Sequence, residues 1–146
     1  MKTTLTFKKS IIVLLFALPL SVFAQCNSFM KLKCNPILKP YLSSGQVFNS
    51  TLLSEDKAKL LLTFYEGMNY RIVVCSQPEL GNVQMRLKDG KNKIVFTGSV
   101  QESNFWDLKV DATQVMTIEV LTPVLENTES MVKSGCVSLM VGFKPY

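Results

Sequence analysis

Apolar and polar side chains alternate along most of the chain from residue 46 onwards, and a period of two is the pattern of strands with one buried face. In the clearest run, Val83, Met85 and Leu87 alternate with polar or charged residues, and the turn signal Asp89-Gly90 follows. Comparable runs cover residues 58–64, 70–74, 94–96, 106–110, 116–120 and 137–143. Short strands at this spacing predict an all-β fold: a single antiparallel β-sandwich, jelly-roll-like, of about seven or eight strands.

The segment before these strands, residues 25–45, lacks the alternation and is predicted to be a short N-terminal helical arm. Asn35 and Pro36 are suited to the start of a helix, and Gly45 is suited to its end. At this length we expect an arm that packs on the sandwich of residues 46–146 rather than a second domain.

Residues 1–24 have the parts of a secretory signal peptide. A basic start precedes the apolar run Ile11–Leu18, and small residues at the −3 and −1 positions precede Gln25. An uncleaved anchor and a lipid on Cys26 are the alternatives. We expect an exported protein, located in the periplasm, at the outer membrane or outside the cell, with no transmembrane segment after cleavage.

Cleavage would change the charge of the chain. The full sequence has 16 basic and 11 acidic residues, for a net charge of +5. Residues 1–24 contain three lysines and no acidic residue, so 13 basic and 11 acidic residues remain, for a net charge of +2. A chain this close to neutral lacks the basic character of nucleic-acid-binding proteins, and we predict no nucleic-acid partner.

Four cysteines remain after cleavage: Cys26, Cys34, Cys75 and Cys136. An even number in an exported chain indicates two disulfides, with three possible pairings. Cys75 ends one predicted strand and Cys136 begins another, which favours a cross-link between antiparallel neighbours. Cys26 and Cys34 would then pair across a local turn. No CxxC pair is present, and the spacing predicts no metal site.

The sequence contains no histidine, which removes the commonest general base and a common metal ligand. No serine lies in a GxSxG motif. Asp107 and Asp111 would be about 13 Å apart along one strand, which is too far for the carboxylate pair of a retaining glycosidase. We therefore predict that the protein is not an enzyme, that no residue is catalytic, and that it uses no cofactor and no metal.

A few aromatic and charged side chains are candidates for surface contacts. Trp106 shares the phase of its apolar neighbours and is predicted to be in the core, whereas Phe105 has the opposite phase and is predicted to be exposed. Tyr65, Tyr70 and Arg71 lie around one turn and are candidates for a polar contact surface, the alternative being a packed tyrosine with only its hydroxyl at the surface.

Four segments resemble those of a family of small secreted β-sandwiches: LLLTFYEGMNYRIVVCS, VQMRLKDGKNKIVFTG, FWDLKVDATQVMTIEVLTP and GCVSLMVGFK. The resemblance is to the bacterial pre-peptidase C-terminal domain and, more loosely, to the GOLD domain. The order of signal peptide, early cysteines and last strand also resembles uncharacterised exported proteins of Bacteroidota. The resemblance implies a non-catalytic accessory or binding module. The acidic calcium-binding cluster of some members is not recognisable in this sequence.

The leading hypothesis is a non-catalytic exported β-sandwich that acts as a binding or accessory protein of the cell envelope. Its partner would be a protein or a polymeric ligand in the envelope. One alternative is a structural component of an outer-membrane or surface assembly, because Leu61 and Val73 are apolar on an otherwise polar strand face. Another is a binder of small apolar ligands.

Overall fold

The computed structural model describes residues 22–124 and 133–146. The predicted signal peptide therefore lies outside the described residues, apart from its last three positions. Within the described part of the chain, no helix is long and apolar enough to cross a membrane.

Eight strands form two four-stranded sheets, and all the strand pairs are antiparallel. Sheet A has the order β1-β8-β3-β6 and sheet B the order β2-β7-β4-β5. The strands are β1 (Leu42–Leu53), β2 (Lys57–Phe64), β3 (Met68–Ser76), β4 (Gln84–Lys88), β5 (Ile94–Ser99), β6 (Phe105–Val110), β7 (Gln114–Leu121) and β8 (Ser134–Pro145). The predicted antiparallel β-sandwich is confirmed.

The chain passes from one sheet to the other at every connection except the hairpin between β4 and β5. The hairpin turn forms because the Asp89 carboxylate accepts hydrogen bonds of 2.9 Å from the backbone N–H groups of Lys91 and Lys93. The first and last strands pair with each other inside sheet A, so the two ends of the domain are held together. This crossing connectivity is that of a double-sheet jelly roll.

The core lies between the two sheets and consists of the apolar residues that alternate along each strand. Phe64 of β2 packs edge-to-face against Tyr70 of β3, with 4.7 Å between the ring centroids. The fully buried members include Phe64, Ile72, Leu80, Met85, Ile118 and Leu139. Burial of such side chains is the main stabilising contribution in a domain of this size.

A helical segment covers the outer face of sheet A. It consists of an α-helix (Val22–Phe29), a π-helical turn (Met30–Cys34) and a further α-helical turn (Asn35–Leu38). Leu38 of this segment packs with Val73 and Met140 of the sheet in a second, smaller apolar cluster. Val73 is therefore buried beneath the helical segment, and the interpretation of Val73 as an exposed apolar position is wrong.

The disulfides pair differently from the prediction. They join Cys26 to Cys136 and Cys34 to Cys75, with Cα–Cα distances of 5.3 and 6.0 Å. Cys75 lies opposite Ser138 in the β3–β8 register, so Cys136 lies two residues further along and is not its partner. Because the helical segment lies across the sheet, its two cysteines reach different strands. Both disulfides therefore attach the helical segment to sheet A.

Candidate functional site

The structure does not place the side chains of the predicted contact residues Tyr65, Tyr70 and Arg71 on one surface. Tyr65 is exposed at the turn between β2 and β3. Tyr70 is buried in the core, and its hydroxyl accepts a hydrogen bond of 2.9 Å from the backbone N–H of Tyr65. The expectation of Tyr70 as a surface contact is thus corrected. Arg71 follows Tyr70 and lies on the opposite face of the sheet, because successive residues of a strand alternate.

Arg71 connects β3 to β6 and to the end of the helical segment. Its Nε and one terminal nitrogen donate to the two carboxylate oxygens of Asp107, both at 2.7 Å. The other terminal nitrogen donates to the carbonyl oxygens of Ile37 and Lys39, at 3.0 and 2.9 Å. Four of its five N–H groups are thus engaged within the protein. Arg71 is positioned to stabilise the fold rather than to bind a partner.

Two aromatic rings enclose the Arg71 guanidinium group. Its central carbon lies 4.6 Å from the centroid of the Tyr41 ring and 4.3 Å from that of the Phe105 ring. The hydrogen bonds from Arg71 lower the pKa of Asp107 below its ordinary value, in spite of partial burial. Asp107 is therefore an ionised structural partner and not a proton donor at neutral pH.

A cleft of about 450 Å³ opens between β5 and β6, which are the edge strands of the two sheets on one side of the sandwich. Its floor reaches core residues, and its walls are apolar and aromatic. The lining residues are Ile72, Met85, Leu87, Val95, Phe96, Phe105, Trp106, Asp107 and Leu108. We call this feature the β5–β6 cleft. It is larger than the opening of about 290 Å³ that is lined in part by Leu62 and Tyr70.

Trp106 fills the inner part of this cleft. It lies opposite Ile72 in the β3–β6 register, so its indole points between the sheets and packs against the core. The ring crosses to β5 and rests on the backbone of Gly98, where an added Cβ atom would lie 2.6 Å from the indole nitrogen. Phe96 meets the indole edge-on, at 6.3 Å between centroids. Trp106 is therefore partly a core residue and partly a wall of the cleft.

A β-bulge in β5 allows two adjacent apolar residues of this strand to face the cleft. Leu87 pairs with Phe96 and Lys88 pairs with Ile94, so Val95 is an extra residue in β5. The bulge allows both Val95 and Phe96 to line the cleft, although adjacent residues of a regular strand face opposite ways. Val95 is 49% exposed, Phe96 is 42% exposed, and Phe105 on the opposite wall is 39% exposed. Of these residues, the sequence pattern had singled out only Phe105.

The edge of β5 also lacks the charges that commonly protect sheet edges from other chains. Edge strand β2 carries Lys57 and Lys59, and edge strand β6 carries Asp107 and Lys109. Edge strand β1 is also uncharged, but it is irregular between Ser43 and Val47. In β5, the run Ile-Val-Phe-Thr-Gly-Ser contains neither a charged residue nor a proline.

Glu119 is the only buried carboxylate among the residues that the structure describes, and it is paired. Lys88 Nζ lies 3.0 Å from one carboxylate oxygen and Lys59 Nζ lies 3.5 Å from the other. Burial raises the pKa of Glu119, but the hydrogen bond and charge of Lys88, together with Lys59, outweigh it and leave the pKa lowered. An ionised, paired carboxylate is not a general acid. In the described residues, no three side chains of metal-ligating type come together.

Comparison with solved structures finds a similar fold in PliG of Aeromonas hydrophila, a periplasmic lysozyme inhibitor of g-type lysozyme. The match has a TM-score of 0.50 and covers 73% of this chain and 90% of PliG. The sequence identity is 14%, which supports a shared fold and nothing more specific. No protein-family model matches the chain, and no curated protein matches it significantly. The suggested relationships to the pre-peptidase C-terminal and GOLD domains and to Bacteroidota proteins thus find no support in these comparisons.

Replacing Gly98 with alanine is expected to destabilise the protein by about 1–3 kcal/mol, because the new methyl group would overlap the Trp106 ring and displace it from the core. Thermal unfolding and the Trp106 emission maximum, which should shift to the red, measure the effect. Gly90→Ala is the matched control, since the nearest atom to its added Cβ is 3.6 Å away. Equal stability of the two variants would contradict this account of Trp106 packing.

Proposed function

We propose that this protein is a non-catalytic exported protein that binds a partner protein through the β5–β6 cleft. The observation that carries the proposal is the group of exposed apolar side chains beside Trp106: Val95 and Phe96 on the uncharged edge strand β5, and Phe105 on the facing strand β6. Aromatic side chains at a concave opening are typical of the centre of a protein interface.

The arrangement also suits a specific mode of binding. An extended segment of a partner can add to a free sheet edge by main-chain hydrogen bonds, while its alternate side chains enter a neighbouring pocket. Here β5 would supply the edge and the β5–β6 cleft the pocket. The partner segment would be extended and would carry at least one large apolar side chain.

Export is supported by three independent features. The start of the chain has the pattern of a signal peptide, and two disulfides link the described residues. Disulfides persist in oxidising compartments such as the periplasm and the cell exterior. The structurally similar PliG is periplasmic. We therefore place the mature protein in the periplasm, at the outer membrane or outside the cell.

The fold similarity suggests which partner to test first. PliG inhibits a lysozyme, which is a protein partner, and a g-type lysozyme is accordingly the first candidate for this chain. The mature protein, residues 25–146 with both disulfides formed, would be titrated into a g-type lysozyme. Cell-wall lysis and Trp106 fluorescence would be followed together. Binding should reduce lysis and change the emission of Trp106. If micromolar protein neither reduces lysis nor changes the emission of Trp106, the lysozyme-inhibitor form of the proposal is contradicted.

The variant Phe96→Asp tests the location of the site. We expect it to weaken partner binding by about 2–4 kcal/mol, because it places a charge at the apolar centre of the interface. Leu32→Asp is the matched control, since Leu32 is exposed on the helical segment and does not line the cleft. Circular dichroism would confirm that both variants fold. Equal binding by Phe96→Asp and the native protein would show that the cleft is not the site.

A small apolar ligand is the second candidate occupant, and the volume of the cleft favours it. About 450 Å³ lies within the range of small-molecule sites, and nearly all the lining side chains are apolar. A saturable change in Trp106 emission on titration with a medium-chain fatty acid would support this function.

A third hypothesis is that the protein is a structural part of a surface assembly, which would use the same uncharged edge of β5. It predicts concentration-dependent self-association in size-exclusion chromatography.

A further inference from the structure

The outer faces of the two sheets differ. The helical segment covers the outer face of sheet A, whereas none of the described helices lies over the outer face of sheet B. The residues of this uncovered face follow from the strand registers. They are Lys57, Lys59, Leu61 and Thr63 of β2, Val115, Thr117, Glu119 and Leu121 of β7, Gln84, Arg86 and Lys88 of β4, and Ile94, Thr97 and Ser99 of β5.

Positive charge is concentrated on this face and on the turn that continues it. The face has four basic residues and one acidic residue, and the β4–β5 turn adds Lys91 and Lys93 against Asp89. Six basic and two acidic residues leave four net positive charges here. All of residues 25–146 together carry only two net positive charges, so the rest of the mature chain is net negative by two. We call this region the cationic face.

The acidic residues of the cationic face are already engaged. Glu119 is buried between Lys59 and Lys88. The Asp89 carboxylate accepts the backbone N–H groups of its own turn. Among the described residues, no carboxylate forms an ion pair with Arg86, Lys91 or Lys93. These three cations are available to anionic groups of another molecule.

An apolar spot lies beside these cations. Leu61 pairs with Thr117 and Thr63 pairs with Val115, so Leu61 and Val115 are diagonal neighbours on the face. Leu61 is 65% exposed and Val115 is 44% exposed. Exposed apolar side chains rimmed by charges are characteristic of protein interfaces, whereas a purely anionic polymer would gain nothing from them.

We propose that the cationic face is a second docking surface, for a protein whose contacting surface is rich in carboxylates and includes an apolar or aromatic side chain. The proposal goes beyond the β5–β6 cleft and is independent of it. Carboxylates of the partner would pair with Arg86, Lys91 and Lys93, and its apolar side chain would cover Leu61 and Val115. Charge complementarity of this kind speeds association and makes binding dependent on salt.

The test uses the mature, disulfide-bonded protein and three polymers of similar length: poly-glutamate, a random glutamate–tyrosine copolymer and heparin. Affinities would be measured by fluorescence anisotropy of labelled polymers at about 50 and 300 mM salt. We expect the glutamate–tyrosine copolymer to bind most tightly, and its dissociation constant to rise at least about tenfold at the higher salt concentration. Absence of binding at low salt would overturn the proposal. Tighter binding of heparin would assign the surface to an anionic polysaccharide and would also overturn it.

Two matched pairs of charge reversals locate the surface. Arg86→Glu with Lys91→Glu is expected to weaken copolymer binding at least about tenfold, because four units of charge change on the cationic face. Lys31→Glu with Lys33→Glu changes the charge equally on the exposed helical segment and should leave affinity within about twofold. Equal losses in both variants would show attraction by net charge alone and would overturn the proposal.

The variant Leu61→Ser separates the apolar contribution from the electrostatic one. It should remove the preference for the tyrosine-containing copolymer and leave poly-glutamate binding unchanged. A copolymer preference unaltered by Leu61→Ser would overturn the role of the apolar spot. Phe96→Ala, which adds no charge, should not change any of these affinities. Loss of binding at the cationic face can therefore be distinguished from loss of binding at the cleft.

Discussion

Loss of the Cys26–Cys136 disulfide, through Cys26→Ser with Cys136→Ser, is expected to lower the free energy of unfolding by about 4–5 kcal/mol. The two cysteines are 110 residues apart, and a cross-link across so long a separation strongly restricts the unfolded chain. The same change would release one end of the helical segment from sheet A. Urea denaturation of the native protein and the variant, both under non-reducing conditions, measures the difference.

The second disulfide provides the comparison. Cys34→Ser with Cys75→Ser removes a link between residues 41 apart, and the expected loss is about 4 kcal/mol. A non-reducing peptide map distinguishes the pairings directly. A peptide joining Cys75 to Cys136 would contradict the attachment of the helical segment by both disulfides.

Replacement of Arg71 by methionine is expected to destabilise the protein by about 3 kcal/mol. Methionine keeps an unbranched apolar chain between Tyr41 and Phe105 but donates no hydrogen bond. The Asp107 carboxylate and the carbonyl groups at the end of the helical segment would then lose the donors that they have in the native protein. Chemical denaturation measures the loss.

A matched control is available on the neighbouring strand. Lys109 forms an exposed ion pair with Asp111, with 4.0 Å between charged atoms. Lys109 Nζ also lies 4.4 Å from the centroid of the Tyr146 ring. Lys109→Met should change stability by no more than about 1 kcal/mol, because exposed ion pairs and exposed cation–π contacts each contribute little. Arg71→Lys should recover only part of the loss, since an ammonium group cannot form the paired hydrogen bonds to Asp107. Similar effects of Arg71→Met and Lys109→Met would contradict the anchoring role of Arg71.

The same interaction predicts a dependence of stability on pH. The pKa of Asp107 is lower in the folded protein than its ordinary value of about 3.9. The ionised form is therefore favoured by folding, and its contribution is complete above the ordinary pKa and is lost as the pH falls through the lowered value. The native protein should lose stability below about pH 4, and Arg71→Met should lose less over the same range.

The strands in the sandwich could be predicted because each contributes alternate side chains to one core. The exception is β1, the strand not identified from the sequence. Of its twelve residues only Leu52 is buried, and the strand is irregular between Ser43 and Val47. Its place in the sheet comes from pairing with β8, a long-range contact that leaves no periodic signal.

The candidate site was harder to predict than the fold. The phase of Phe105 indicated an exposed ring, since that inference needs only its nearest neighbours. The roles of Phe96 and Trp106 depend on a bulge in β5 and on the approach of two edge strands from different sheets. The same applies to Tyr70, whose burial depends on the packing of β3 against Phe64 in the other sheet.

The amino-acid sequence alone determined the properties that depend on residue types and on near neighbours in the chain. Alternation along single strands set the antiparallel β architecture, the even cysteine count indicated disulfides, and the lack of histidine argued against catalysis that depends on it. The tertiary structure decided which cysteines meet, that Val73 is covered while Leu61 stays exposed, and that scattered lysines and an arginine share one face. The reason is physical: periodicity reflects neighbours within a strand, whereas register, sheet order and helix docking join residues far apart in the chain.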